Sequence, residues 1–198
     1  MFDKQGFLVS KEIKSKSDFV KFAQEFGTVC FQKDDVNRDG VVTLHYDITK
    51  HKYGFTNDAL FPHTDRSNML NPPDLVLLWY ERKAEVGGES LIFDASLHLL
   101  PVIDDVNFIA KFASENDPGV VEKPMYDNGI FRFRNDAYIN LLDSEKAKFE
   151  KVKEIISNKT EVMELEQGDC LVADNKRIFH GRRPFTGDRI MHRMLVYR

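Results

Sequence analysis

Residues 61–68 read FPHTDRSN and set His63 and Asp65 two positions apart in a strand-like segment that runs into a turn. On an extended strand successive side chains alternate between faces, so positions i and i+2 project to one side and Thr64 to the other. An imidazole and a carboxylate then converge on one space. Alone, such a pair also describes ordinary surface hydrogen bonding, and the chain has six histidines to draw on. A third donor changes the reading. In ADNKRIFHGRRPF, residues 173–185, His180 ends a strand-like run just before Gly181. Two imidazoles and one carboxylate on one face of a metal leave positions open for other ligands, an arrangement suited to non-haem Fe(II).

Outward from these residues the chain reads mostly as short strands: TVCFQ at 28–32, VVTLHY at 41–46, LVLLWYE at 75–81, ESLIFD at 89–94, VVEKPMY at 120–126, GIFRFR at 129–134, VMELE at 162–166, CLVAD at 170–174 and IMHRMLVY at 190–197. Turn signals punctuate them, with NPPD at 71–74, VGG at 86–88, DNG at 127–129 and EQGD at 166–169. Two helices are predicted. The first is SDFVKFAQEFG, with Ser17 as N-cap, Phe19, Phe22, Ala23 and Phe26 at helical spacing, and Gly27 just past its end. The second starts near Ser144 and presents Phe149, Val152, Ile155 and Ile156 as one apolar stripe. Many strands with flanking α-helices predict a mainly β fold, a double-sheeted jelly roll whose mouth is a natural pocket. No repeat or Pro/Gly/Ser linker divides the chain, so residues 1–198 are expected to form one domain.

A formal net charge of −4, with no strongly biased half, argues against a nucleic-acid partner. No apolar run approaches the roughly 20 residues of a membrane span, and the start, MFDKQGFLVSKEIKSK, lacks the apolar block of a secretory signal. A soluble, cytoplasmic protein without a membrane partner is expected. Cys30 and Cys170 sit in apolar segments and read as reduced, packed thiols. The sequence carries no signal of oligomeric state.

Two further stretches bear on chemistry. In DRIMHR, residues 188–193, Arg189 and Arg193 are four apart, which on a strand puts both on one face with Met191 between them. A guanidinium fork matches a carboxylate, so the pair suits a dianion or two separate anions. In GGES, residues 87–90, the glycines permit a tight turn and close backbone approach, from which the Ser90 hydroxyl can reach a bound acid.

Taken in order, HTD at 63–65, GGES at 87–90, DNKRIFHGR at 174–182 and RIMHR at 189–193 resemble the taurine dioxygenase, clavaminate synthase and γ-butyrobetaine hydroxylase group of Fe(II)/2-oxoglutarate dioxygenases. The resemblance implies a cupin-like double-stranded β-helix with His63, Asp65 and His180 as iron ligands. By the same resemblance Arg189 and Ser90 hold the C5 carboxylate of 2-oxoglutarate, and Arg193 takes an anionic group of the substrate or joins the co-substrate site. Arg66, Asn68 and His45 are the remaining candidate substrate contacts, with His51 beside them. Asp174, Asn175 and Arg177 are placed to orient the strand that carries His180.

The implied cofactors are Fe(II), 2-oxoglutarate and O2, with release of succinate and CO2 and hydroxylation of a small molecule as the default outcome. Desaturation or ring closure would use the same residues. The carboxylate at Asp65 speaks against halogenation, since halogenating relatives have a small residue there. The interval from Asp65 to His180 is shorter than in taurine dioxygenase, which implies a more open mouth and room for a carrier-protein-tethered substrate. An amino acid, a small acid or an intermediate of specialised metabolism is the expected substrate class. By themselves the residues leave open a zinc-dependent hydrolase with the same His/Asp/His set, and a non-catalytic ligand-binding β-barrel. The arginine pair favours the oxygenase.

Overall fold

Leu75–Arg82 is a strand with almost no polar residue because both of its faces are buried. Leu75, Leu77 and Trp79 pack outward against Phe19 and Ala23, while Val76, Leu78 and Tyr80 point inward to join Leu44, Leu171, Met191 and Leu195. A period-2 pattern is invisible when both sets are apolar, and the strand reads as one continuous run.

The computed structural model describes residues 5–11, 13–31, 38–47, 49, 53–114 and 119–198. Its strands begin with β1 (Phe7–Ser10), β2 (Thr28–Val29), β3 (Val42–His45), β4 (Leu60–His63), β5 (Leu75–Arg82) and β6 (Val86–Gly87). They continue through β7 (Ser90–Asp94), β8 (Ile109–Phe112), β9 (Val121–Pro124), β10 (Tyr126–Asp127), β11 (Ile130–Phe131) and β12 (Ile139–Leu141). The last are β13 (Glu161–Met163), β14 (Cys170–Asp174), β15 (Ile178–Arg182), β16 (Phe185–Thr186) and β17 (Ile190–Tyr197). Helices are α1 (Lys16–Gln24), α2 (Ala95–His98), α3 (Ile103–Val106) and α4 (Asp143–Lys159).

A six-stranded sheet in the order β1-β14-β5-β17-β2, with β3 also paired to β17, faces a four-stranded sheet in the order β13-β7-β15-β4. The pairings are antiparallel, and the architecture is the expected double-stranded β-helix. Helix α1 covers the outer face of the large sheet. Helix α4 covers the outer face of the small one through Phe149, Val152 and Ile156, which pack with Phe93, Phe133 and Phe179. The alternation of β17 then decides what enters the space between the sheets. Met191 and Leu195 point inward, so Arg193 between them does too, whereas His192 turns outward, stacks on Trp79 and bonds Thr43 and Glu81.

Several local expectations are corrected. The N-cap of α1 is Ser15, whose hydroxyl accepts from the Asp18 amide, and the helix begins two residues earlier than Ser17 implied. Strand β2 ends at Val29, and Gln32 of the expected strand lies outside the described residues. Strand β4 stops at His63, so Asp65 stands in a turn. His180 lies in the middle of β15, which continues to Arg182. Strands β1, β8 and β12 carry no strong sequence signal, being short and partly exposed. The DNG signal holds: Asn128 and Gly129 both have positive φ, 50° and 81°, as a two-residue hairpin between β10 and β11 demands.

Candidate active site

The β4–β15 register sets His63 opposite His180, with ring centroids 4.7 Å apart. Gly181 makes the approach possible, because a Cβ there would lie 2.3 Å from the Leu60 carbonyl oxygen. His63 Nδ1 is 3.1 Å from the Phe61 carbonyl oxygen. Donation of that N–H fixes the tautomer and leaves the Nε2 lone pair for a metal.

Asp65 reaches the two imidazoles by a route other than strand alternation. The turn that carries it is clasped on both sides. Thr64 donates its amide to the Phe133 carbonyl at 2.9 Å and accepts the Phe133 amide on its hydroxyl at 3.1 Å. Asn175, 1% exposed, accepts the Asp65 amide at 2.8 Å and donates to the carbonyls of Asp65 and Pro73 at 3.0 and 2.9 Å. Asp174 and Arg177 instead brace the corner before β15, with Arg177 donating to Asp94. Of the three, Asn175 bonds directly to a residue of the donor set.

The result is a cluster in which one donor atom from each of His63, Asp65 and His180 lies within 4.8 Å of the others. Asp65 Oδ2 is buried without a hydrogen bond and stands 3.3 Å from His180 Nε2. Such an orphaned carboxylate oxygen facing two imidazoles fits a divalent cation. Burial and the neighbouring His180 push the His63 pKa down to about 4. Burial alone would raise Asp65, but the Arg193 guanidinium and both imidazoles outweigh it and hold the carboxyl below its ordinary range. At neutral pH His63 is therefore neutral and Asp65 ionised, the forms that ligate a metal.

Deeper in, Arg189 is 3% exposed and donates from Nη2 to the Tyr80 hydroxyl at 3.1 Å and towards Met191 Sδ at 3.5 Å. Its guanidinium lies 5.0 Å from the Tyr80 ring centroid and 5.6 Å from that of Phe185. Gly88, at φ +78°, leaves room for the arginine stem, since a Cβ would come within 3.2 Å of Arg189 Cδ. All of these partners are neutral. A buried guanidinium with neutral partners carries an unmet demand for an anion, so the chemistry of this end fits a carboxylate. Ser90 Oγ is 2.5 Å from the Tyr80 hydroxyl and completes the polar set.

A cavity of about 740 Å³ is lined by His63, Asp65, His180, Arg189, Arg193, Arg66 and Asn68. His45 is corrected. It is exposed at the end of β3 and packs edge-on against Phe55, while its neighbour Leu44 lines the cavity. His51 lies outside the described residues. The sequence reading missed Tyr80, Thr64 and Arg182. Arg182 is 4% exposed, donates to the carbonyls of Thr56 and Asp58, and stacks on Phe185 at 4.9 Å. Burial and the adjacent Arg189 pull its pKa down to about 10. Its position two residues after His180, on the same face of β15, was the available signal.

The family model for taurine catabolism dioxygenase TauD, TfdA family, matches residues 1–97 and 114–195. The chain belongs to the TauD/TfdA family. The dioxygenase superimposes on the non-haem iron oxygenase OrfP in complex with Fe and alpha-ketoglutaric acid with a TM-score of 0.76, 14% identity, and coverage of 98% of this chain and 76% of that one. Against asparagine oxygenase the TM-score is 0.78 at 15% identity, covering 98% and 74%. At such identities the likeness establishes the fold. No curated sequence matches the chain significantly. Family membership makes the protein a 2-oxoglutarate-dependent dioxygenase using Fe(II), 2-oxoglutarate and O2, and retires the hydrolase and ligand-barrel readings. Among the described residues no helix is long and apolar enough to cross a membrane.

Proposed function

We propose that the dioxygenase hydroxylates an amino acid or small acid, free or carrier-tethered, with His63, Asp65 and His180 holding iron and Arg189 with Ser90 holding the C5 carboxylate of 2-oxoglutarate. The observation that carries the assignment is the buried Arg189 guanidinium among neutral partners, facing the same cavity as the three donor atoms. Bound iron and 2-oxoglutarate supply an oxidative decarboxylation to succinate and CO2 that is coupled to oxidation of a substrate C–H bond.

The chain's own residues do the rest. The Phe61 carbonyl holds the His63 ring in its ligating tautomer. Arg193 takes Asp65 Oδ1 at 2.6 Å and thereby turns Oδ2 towards the imidazoles. Arg193 is paired with Asp65, and Arg66, Arg182 and Arg183 also line the cavity, an arginine-rich wall that supports a substrate with an acidic group. An amino-acid-sized substrate is supported by the asparagine oxygenase structure, which holds 3-hydroxyasparagine and succinate. A screen of amino acids and small acids, each free and attached to a carrier protein, reads the proposal through O2-dependent succinate release and product mass. A gain of one oxygen supports hydroxylation; succinate release unaffected by every acid tested would overturn the substrate class.

A further inference from the structure

Every residue of β4 lines the large cavity, although successive side chains of a strand face opposite ways. Strand β4 is the edge of the small sheet, so the cavity passes around that edge and lies against both faces of the sheet. The inner part holds the three donor atoms. The outer part is a groove beneath the end of α4, walled by Ser157 and by Thr160 just past the last turn.

The floor of this groove is a row across three strands. Gly181 of β15 pairs with Leu91 of β7, Leu91 pairs with Val162 of β13, and all three line the cavity. By alternation Gly181 and Leu91 share the face of Phe179 and Phe93, the face turned to α4, whereas His180 points the other way. With strands about 4.8 Å apart, the row is about 10 Å long. It starts beside a metal-donor residue, at a glycine that raises no side chain, and ends at Val162, which is 43% exposed. The ionic groups at this end are spent on each other: Arg134 donates to the two carboxylate oxygens of Asp136 at 2.7 and 2.6 Å.

We propose that the groove carries a neutral, amide-bearing arm of the pantetheine type, to which the substrate acid is joined as a thioester. The proposal deepens the reading of the dioxygenase as a hydroxylase of an amino acid or small acid, and rests on it. A free acid finds its counter-charges in the arginine-rich inner part and makes no use of the outer one. A tethered acid needs a path from the metal to solvent with an open far end, and the row from Gly181 to Val162 is such a path. Methyl and methylene groups of the arm suit the apolar floor, and its amides suit the hydroxyls of Ser157 and Thr160. A peptide would seek main-chain partners along a strand edge. Here the arm crosses a sheet face, where the backbone groups are already spent on neighbouring strands.

Proton relaxation of pantetheine in the presence of the Mn(II)- and 2-oxoglutarate-loaded protein, without O2, tests this whatever the acid proves to be. The paramagnetic ion should broaden the protons beside the thiol most and those of the pantoyl end least. Val162→Trp, a change at an exposed position, fills the groove and should weaken pantetheine binding at least about tenfold; Ser157→Trp, exposed on α4, fills it from the other wall and serves should the first variant not fold. No broadening by the wild type, or broadening unchanged in the folded variant, would overturn the proposal. Trialanine broadened in place of pantetheine would assign the groove to a peptide and overturn it too. The underlying reading is scored apart, by 2-oxoglutarate binding and by succinate release with free acids, neither of which depends on pantetheine.

Discussion

The carboxylate of Asp65 is divided between two partners: Oδ1 accepts from Arg193 Nη1 at 2.6 Å, and Oδ2 stands 3.3 Å from His180 Nε2. The ion pair therefore orients the carboxylate as well as neutralising it. Asp65→Ala removes a proposed ligand and should reduce Mn(II) affinity by more than about a hundredfold, whereas Arg193→Ala leaves the ligand but frees its rotation and should cost about 10–100-fold. Calorimetry with Mn(II) alone checks both. Equal losses in the two variants would show that Arg193 does more than orient.

Asn175 holds the turn that carries Asp65 through three hydrogen bonds made in a buried place. Asn175→Ala leaves an amide and two carbonyls without those partners. The expected cost is about 2–4 kcal/mol, which for a chain of this size lowers the melting temperature by about 5–15 °C. Asn175→Asp should be worse, since it keeps the acceptor for the Asp65 amide but aims a buried carboxylate at two carbonyl oxygens. Thermal melts of both variants with and without Mn(II) decide this. A variant that melts like wild type would mean that the turn stands without the clasp.

How much of this was legible in the sequence depends on which force placed each residue. Strands β5 and β17 were readable because they are long and apolar, and the inward set Met191 and Arg193 follows from alternation alone. The pairing of His63 with Asp65 was read correctly as a convergence but for the wrong local reason. The strand ends at His63, and Asp65 is brought back by hydrogen bonds from Phe133 and Asn175, which are distant in sequence. Tyr80 has no signal of its own within the apolar strand, since its ring is core and only its hydroxyl reaches the polar set. His45 looked like a site residue because its segment leads towards the motif. Strand alternation puts Leu44 inside in its place. Tertiary contacts, invisible to pattern, decided Asp65 and Tyr80, whereas strand alternation decided His45.

Phe133 ties the aromatic core to the active site. Its ring stacks on Phe179 at 5.4 Å and on Phe149 at 5.6 Å, while its backbone holds Thr64 from both directions. Phe133→Ala should cost about 3–5 kcal/mol through the cavity left among fully buried rings. Phe133→Leu fills much of that volume and should cost less than about 2 kcal/mol. Because the backbone clasp is kept in both, Mn(II) affinity measured well below the melting temperature should change far less than stability. A large affinity loss in Phe133→Leu would instead place the ring, rather than the backbone, in control of the Asp65 turn.

Acid should weaken the metal-free protein in a definite window. The folded pKa of His63 is about 4 against an ordinary value of 6.5, because burial and His180 disfavour the imidazolium. Between these values the unfolded chain binds the proton and the native protein does not, so stability falls as pH falls from 6.5 to about 4 and is fully present above 6.5. Each such group contributes a slope of up to about 1.4 kcal/mol per pH unit. His192, lowered by its burial, acts in the same direction. Asp65 acts elsewhere: its depressed pKa adds stability that is lost only as pH drops below the ordinary carboxylate value of 3.8. Melts of the metal-free protein from pH 8 to pH 4 should therefore be level at first and then decline below about 6.5. His63→Gln, which cannot be protonated, should lose part of that decline while His192 retains the remainder. A variant with the full wild-type slope would mean that His63 is not the group held neutral at the centre of the site.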